Sequence, residues 1–468
     1  MKLLLILTIF FVQFTDKGES DRVALSSTAL EMRQERGIMI DSMDYAVSPI
    51  YLDSIRALGG KVLHTSRWMN GATVDAKNGA KSKFLACSFV DTVYVSRKTP
   101  IISPRTAPKM NKATMTRTDS VYHGQAEDQL QLLNLPSLHD EGYEGQGIRI
   151  GIADAGFANA DSLPALDATR EQWLGYTDLT DDTCGMFSME MDHGTLCLTS
   201  IMGITDEYRG AATKAEYYLF KTEELNTESP KEIDNWVVAA EMADSMGLHI
   251  LSTSLGYALF DNDDLSYSYK DMDGQTTRGA KAAQIATRKG LLLVVAMGND
   301  GNNSWHYLAT PADADSILSV GAVNTAGIMA PFSSYGPTSD GRLKPEVCAV
   351  GLNTALVDAT NKVIFGDGTS FACPQIAGMA ACIWSANPKA SNMDIRQRII
   401  ESSDRYANPD DRYGYGIPNA WVAYENIRSA SEKVEVESKS KKVMIEGQLY
   451  IQHNNEYFNV LGNKIAIQ

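Results

Sequence analysis

From residue 147 onward the chain alternates between two hydrophobic patterns. Short apolar runs recur in IRIGIAD (148–154), AEYYLF (215–220), HILSTSL (249–255), LLLVVAM (291–297) and ILSVGAV (317–323). Few polar positions interrupt either alternate face, which is the pattern of strands covered on both sides. Between them lie TLCLTSIMG, EIDNWVVAAEMADSMG and RGAKAAQIATRKG, with apolar residues at helical spacing. The last two close on a glycine suited to a helix C-terminus. Strands separated by helices need crossover connections, so the expected fold is α/β with a doubly wound parallel sheet. Its functional site is then expected at the carboxyl ends of the strands.

The flanks read differently. Residues 21–115 contain RALGGKVLHTSRWMNGATV and FVDTVYV, a mixture of short strands and helix that predicts a small α+β domain. Within that span and just past it, PIISPRTAPKMNKATMTRTDS (100–120) has three prolines and no periodicity, as expected of an exposed linker. The catalytic-type pattern is assigned to 116–428. After it, SASEKVEVESKSKKV (429–443) reads as a charged linker, and the remainder to 468 as short strands broken by NN and GN turns.

At the start, MKLLLILTIFFVQF places one lysine before a dozen mostly apolar residues, followed by polar DKGESD. That length suits a secretory signal over residues 1–20 and is short for a membrane span. An uncleaved anchor is the rival reading, since no A-x-A pattern follows. No later apolar stretch is long enough to cross a bilayer.

Composition narrows the function. With 468 residues the chain is long enough for two or three domains, and 44% hydrophobic against 21% charged residues excludes general disorder. A net charge of -16 opposes phosphate, so nucleic acid is excluded as a partner. The short basic stretch KSKK at 439–442 is read as solvated linker. Six cysteines occur without a C-x-x-C, which gives no support to a zinc or dithiol redox site. Cys373 and Cys382 lie among small apolar residues and read as buried thiols; Cys184 and Cys197 are a candidate disulfide in an exported chain.

The chemistry gathers in three segments. In GDGTSFACPQIAG (366–378), Ser370 stands at the mouth of an apolar helix behind two glycines. Alone it would be read as a helix cap. Asp154 ends a buried strand, and His193 sits in DHGT just before a helix. A buried carboxylate orienting an imidazole that deprotonates a serine is what makes serine a nucleophile near neutral pH.

These three segments, D-A-G at Asp154, H-G-T at His193 and G-T-S-F-A-C-P from Gly368 to Pro374, resemble the signatures of the subtilisin-like serine peptidases, in the family's order of aspartate, histidine, serine. The resemblance extends over about residues 122–425. It implies an exported serine endopeptidase acting on protein or peptide substrates through an acyl-enzyme. It implies that Asn299 in VVAMGNDG is the oxyanion donor, with the Ser370 backbone N–H as the second donor. It further implies that Ser254-Leu255-Gly256 and Ala296-Met297-Gly298 form the clamp that pairs with an extended peptide and walls the pocket for the residue before the scissile bond. Met297 departs from the usual A-A-G and is expected to change that pocket. Ala155 and Cys373 also depart from common family residues without touching the triad.

Residues 21–115 resemble the family's inhibitory propeptide, expected to be released by self-cleavage in the linker. The end of the chain resembles sorting tails of the type IX secretion system of Bacteroidetes-like bacteria. No cofactor is called for; the acidic loop DNDDLSYSYKDMDG (261–274) has carboxylates at alternating positions that suit calcium, although such loops more often are merely solvated. A catalytically silent binding protein on this fold and an acyl-transferring peptide ligase are the alternatives; the filled catalytic positions oppose the first.

Overall fold

The computed structural model describes residues 7–98, 122–180, 184–438, 440–445, 448–453, 456–458 and 464–465. The first domain contains β1 (Leu7–Phe14), α1 (Ser27–Glu35), α2 (Pro49–Ala57), β2 (Lys61–Ser66), β3 (Gly71–Lys77), α3 (Ala80–Leu85) and β4 (Val90–Lys98). Its four-stranded antiparallel sheet has the order β2-β3-β1-β4. The central position of β1 revises the boundary expected at residue 20. Ile9, Phe10, Phe11, Val12 and Phe14 are all buried. Phe10, Val12 and Phe14 pack with Ile55 and Phe84 of the helices on one face. On the other, Phe11 lies under the Arg278 guanidinium, 5.1 Å from the ring centroid. A strand covered on both faces has the same unbroken apolar run as the core of an export signal, so hydropathy alone did not separate them.

The second domain begins with α4 (Glu127–Leu132) and α5 (Pro136–Asp140), followed by β5 (Arg149–Asp154), β6 (Trp173–Asp178), α6 (His193–Met202), β7 (Ile204–Thr205), β8 (Tyr208–Arg209), β9 (Glu216–Lys221), α7 (Pro230–Met246), β10 (Ile250–Thr253), α8 (Arg278–Arg288), β11 (Leu292–Ala296), β12 (Leu318–Val323), β13 (Val347–Val350), β14 (Thr354–Val357), β15 (Val363–Gly366), α9 (Thr369–Ala386), α10 (Asn392–Glu401) and α11 (Ala420–Ser438). Seven strands form one sheet in the order β13-β12-β11-β10-β5-β9-β6, every pair parallel. The five strands read from apolar runs are all there; β6 and β13 were not read. An apolar cluster containing the α9 side chains covers one face, and a second, containing those of α7 and α8, covers the other.

Local signals set the helices. Pro230 occupies the first turn of α7, and Glu232 reaches back to accept from the Ser229 N–H at 3.0 Å. Gly247 ends that helix in the left-handed conformation, φ 73°. Helix α11 continues to Ser438, so the segment expected as a linker from 429 starts as helix; β16 (Ser440–Ile445), β17 (Gln448–His453), β18 (Glu456–Phe458) and β19 (Lys464–Ile465) then form an antiparallel sheet.

The first domain rests on α7 and the end of α8 through buried charges. Arg33 bonds Asp244 at 2.8 Å and Asp44 at 3.0 Å, Arg67 bonds Asp244 at 2.6 Å, and Lys289 bonds Asp44 at 2.7 Å. Glu241 accepts from Ser66 Oγ at 2.5 Å and from the Arg67 and Trp68 N–H groups at 2.8 and 3.1 Å. Burial, opposed chiefly by Arg67, leaves the Glu241 carboxyl above its ordinary range.

Candidate active site

Asp154 ends β5 and is wholly buried. Its Oδ1 accepts from His193 Nδ1 at 2.6 Å and from the Ala155 N–H at 2.7 Å. His193 is the first residue of α6, with about a fifth of its side chain exposed. The close approach of α6 to the strand end requires Gly194, whose N–H donates to Gly156 O at 2.9 Å; a Cβ there would lie 2.4 Å from that oxygen and 3.0 Å from Asp154 Cβ. A bond from a buried carboxylate to Nδ1–H fixes the tautomer, leaving Nε2 as the acceptor.

Ser370 is the second residue of α9. Its Oγ lies 3.2 Å from Ser254 O, while Ser254 Oγ donates to Ser370 O at 2.8 Å. The neighbouring Phe371 ring stands 5.9 Å from the His193 ring, centroid to centroid. The start of α9 thus meets the end of β10 and the start of α6. Pro374 is the sixth residue of α9 and lies inside the helix, not in its first turn as expected; it lacks the N–H that would bond Ser370 O, and that carbonyl accepts from Ser254 Oγ instead.

Asn299 follows β11 and is exposed. Its Oδ1 accepts from the Thr369 N–H at 2.9 Å and from Thr369 Oγ1 at 3.0 Å. With the carbonyl end held, the amide NH2 is turned away from Thr369. Thr369 also receives the Gly298 N–H at 3.2 Å and so ties β11 to α9. The sequence reading placed Thr369 in the serine segment but gave it no anchoring role.

Ser254, Leu255 and Gly256 leave β10, and Ala296 ends β11, its parallel neighbour, with Met297 and Gly298 directly after it. Tyr257 exchanges backbone bonds with Thr310 at 2.8 and 3.2 Å, anchoring the first segment. Gly298 has φ 105°, a conformation side chains disfavour. The Met297 side chain is wholly buried in the apolar cluster with α7 and α8, so the expected change to the pocket is not made by an exposed thioether.

None of the six cysteines is in a disulfide, which removes the Cys184–Cys197 pairing. Cys197 lies one turn after His193, with Sγ 3.5 Å from Ser370 O; burial, with the Asp154 charge second, pushes its thiol far above the ordinary range. Burial pushes the Cys373 thiol up to about 12. Neither thiol is ionised near neutrality, so neither competes as a nucleophile. The acidic loop at 261–274 does not pool its carboxylates: Asp261 caps the Glu228 N–H, Asp271 binds Ser268, and Asp273 binds Gln275 and Thr276. Among the described residues, the groups of acids, histidines and cysteines close enough to share a cation are Asp154–His193–Cys197 and Glu223–Glu228–Glu232.

Comparison with known proteins agrees with this geometry. Residues 145–416 match the subtilase family, more than half of the chain. The chain belongs to the subtilase family. Residues 9–113 match the peptidase S8 propeptide domain of Bacteroidota, so the first domain is this subtilase's own propeptide. That match includes most of β1. The subtilase is 27% identical to the thermostable alkaline protease of Halalkalibacterium halodurans over 297 residues, covering 62% of this chain and 71% of that protein. It is 27% identical to subtilisin BL of Lederbergia lenta, covering 62% and 94% of the two chains. Subtilisin NAT of Bacillus subtilis subsp. natto is 25% identical and aligned over 90% of this chain and 98% of its own. The subtilase is therefore a subtilisin-like serine peptidase with an N-terminal propeptide.

Proposed function

We propose that this enzyme hydrolyses peptide bonds with Ser370 as nucleophile, His193 as general base and acid, and Asp154 as the group that orients the imidazole. The observation that carries the assignment is the 2.6 Å bond from His193 Nδ1 to the buried Asp154, beside a serine at a helix N-terminus. His193 Nε2 takes the Ser370 Oγ proton as Oγ attacks the peptide carbonyl carbon. Asn299 Nδ2 and the Ser370 N–H receive the developing oxyanion. The imidazolium returns the proton to the leaving amine, and water repeats the sequence on the acyl-enzyme. Ser254–Gly256 and Ala296–Gly298 hold the substrate as an added strand.

A fluorophosphonate is expected to label Ser370, and Ser370→Ala to lower turnover by about a millionfold, as in subtilisin itself. Wild-type turnover in that variant, with casein as substrate, defeats the assignment.

Self-release of the propeptide belongs to the same reading. The cut is proposed in 100–121, a stretch that falls wholly outside the described residues. Support comes from the end of β4, where Arg97 pairs with Glu224 of the catalytic domain, so the linker starts against the body of the enzyme. Action outside the cell is proposed with it, because a built-in cover suits a protease silenced until release. The β-rich end is read as a sorting tail, tested by comparing culture medium and cells for chains with and without residues 440–468.

A further inference from the structure

Asp154 leaves one of its oxygens unused. Oδ1 carries both bonds, from His193 Nδ1 and the Ala155 N–H, while Oδ2 is buried and meets no donor at hydrogen-bond distance among the described residues. A buried carboxylate oxygen without a donor is costly, because its charge has neither water nor a hydrogen bond to spread into. Ala155, the next residue, brings no hydroxyl.

A donor stands close by. Cys197, on the same helix as His193, has Sγ 3.9 Å from His193 Nδ1 and 3.5 Å from Ser370 O. An oxygen of Asp154, a ring nitrogen of His193 and Cys197 Sγ all lie within 4.8 Å of one another. Burial keeps the thiol protonated, so it has a proton to give. Its other acceptor, Ser370 O, already receives Ser254 Oγ at 2.8 Å. A charged oxygen with no donor is the stronger attractor of the two. The apolar residues clustered with Cys197 are Leu196, Leu356, Ile364 and Phe371.

We propose that Cys197 is a positioning residue of the triad, its S–H turned to Asp154 Oδ2, where it sets how strongly the aspartate draws on His193. The proposal rests on the triad reading above and adds a fourth side chain to it.

A donor on Oδ2 spreads the carboxylate charge and leaves less of it on Oδ1. The imidazolium formed as Ser370 attacks is then held less tightly, and it returns its proton to the leaving amine more readily. Without the thiol proton the charge falls on Oδ1, which favours the imidazolium and raises the pKa of His193. The titratable groups gathered here are Asp154 from β5, His193 and Cys197 from α6, and Cys373 from α9, whose thiol burial pushes up to about 12. Near neutrality both thiols are therefore uncharged, and Asp154 is the charge that His193 answers to.

The test compares mature wild type, counted by fluorophosphonate labelling, with Cys197→Val and Cys197→Ser, in kcat and KM on one peptide across pH. Valine keeps the shape and loses the donor; serine keeps a donor and fits an apolar pocket worse. Cys197→Val is expected to move the acid limb of kcat/KM up by about half a pH unit and to lower kcat by about three- to tenfold at unchanged KM. Cys197→Ser returns both toward wild type. A packing role alone gives the reverse order, with the valine variant like wild type and the serine variant impaired, and overturns the proposal. So does an acid limb that neither variant moves. A second measurement needs neither variant to fold. In the Raman spectrum of the Ser370→Ala precursor, the lowest S–H stretching band is expected to rise when Asp154→Asn removes the charge; a band that stays in place overturns the proposal. Wild type that neither takes the label nor cuts the peptide strikes the triad reading instead.

Discussion

In the proposed mechanism the two ends of the Asn299 amide do different work. Thr369 holds Oδ1 through two bonds, so the donor end is oriented before substrate arrives. Preorganised donors act on the transition state more than on the bound substrate. Asn299→Ala is expected to lower kcat by about a hundred- to a thousandfold, the range known for the equivalent loss in subtilisin, with little change in KM. Steady-state kinetics on one peptide checks it; a rise in KM at unchanged kcat would assign the residue to ground-state binding. The residues of this chemistry were legible in the sequence because each stands in a contiguous segment with its own glycines. The anchoring of Asn299 by Thr369 was not, because the two partners lie 70 residues apart along the chain.

At the scale of elements, what could be read depended on exposure. Strands β5, β9, β10, β11 and β12 are covered on both faces and announced themselves as apolar runs. Strand β6, WLGYTD, alternates half-buried and exposed positions at a sheet edge, and β13 has four residues, too few for a pattern. Strand β1 carried a strong pattern with two meanings, and in the fold these residues are a strand covered on both faces. Its pairing with both β3 and β4 makes it the middle of the propeptide sheet. A chain beginning at residue 21 should therefore lack a folded propeptide, with yield of fluorophosphonate-reactive enzyme falling at least about tenfold relative to one beginning at residue 7, because several core side chains go with it. Equal yields would mean that β1 is dispensable.

Acid sensitivity belongs to the whole molecule, where buried histidines join distant elements. Burial, with the charge of His123 next, lowers His139 to about 4. Burial, then Arg36 and Arg149, lowers His249 to about 3. Both values lie below the unfolded value near 6.5, so the stability each contributes is complete above that pH and drains away as pH falls toward 4 and 3. The loss is on the order of 3 kcal/mol for His139 and about 5 kcal/mol for His249. Thermal unfolding of the Ser370→Ala precursor should show a midpoint flat above pH 7 and falling steadily below 6, with a shallower fall in His249→Gln; a midpoint level down to pH 4 would contradict this. Arg36 comes from the propeptide, so part of the His249 effect leaves with that domain.

The charges buried between propeptide and enzyme have a consequence for fidelity. Arg33, Asp44 and Arg67 lie on one side, and Glu241, Asp244 and Lys289 on the other, each nearly shut off from solvent. Ion pairs of this kind add little net attraction over an apolar contact, yet removing one member leaves its partner stranded at a cost of about 3–5 kcal/mol. A propeptide from a related protease, folded alike but lacking one of these charges, would strand a carboxylate or an ammonium on α7 or α8. The interface thus works as a password rather than as glue. Where one cell makes several such proteases, each cover is matched to its own enzyme, and cross-inhibition between them is suppressed by the penalty for a wrong partner.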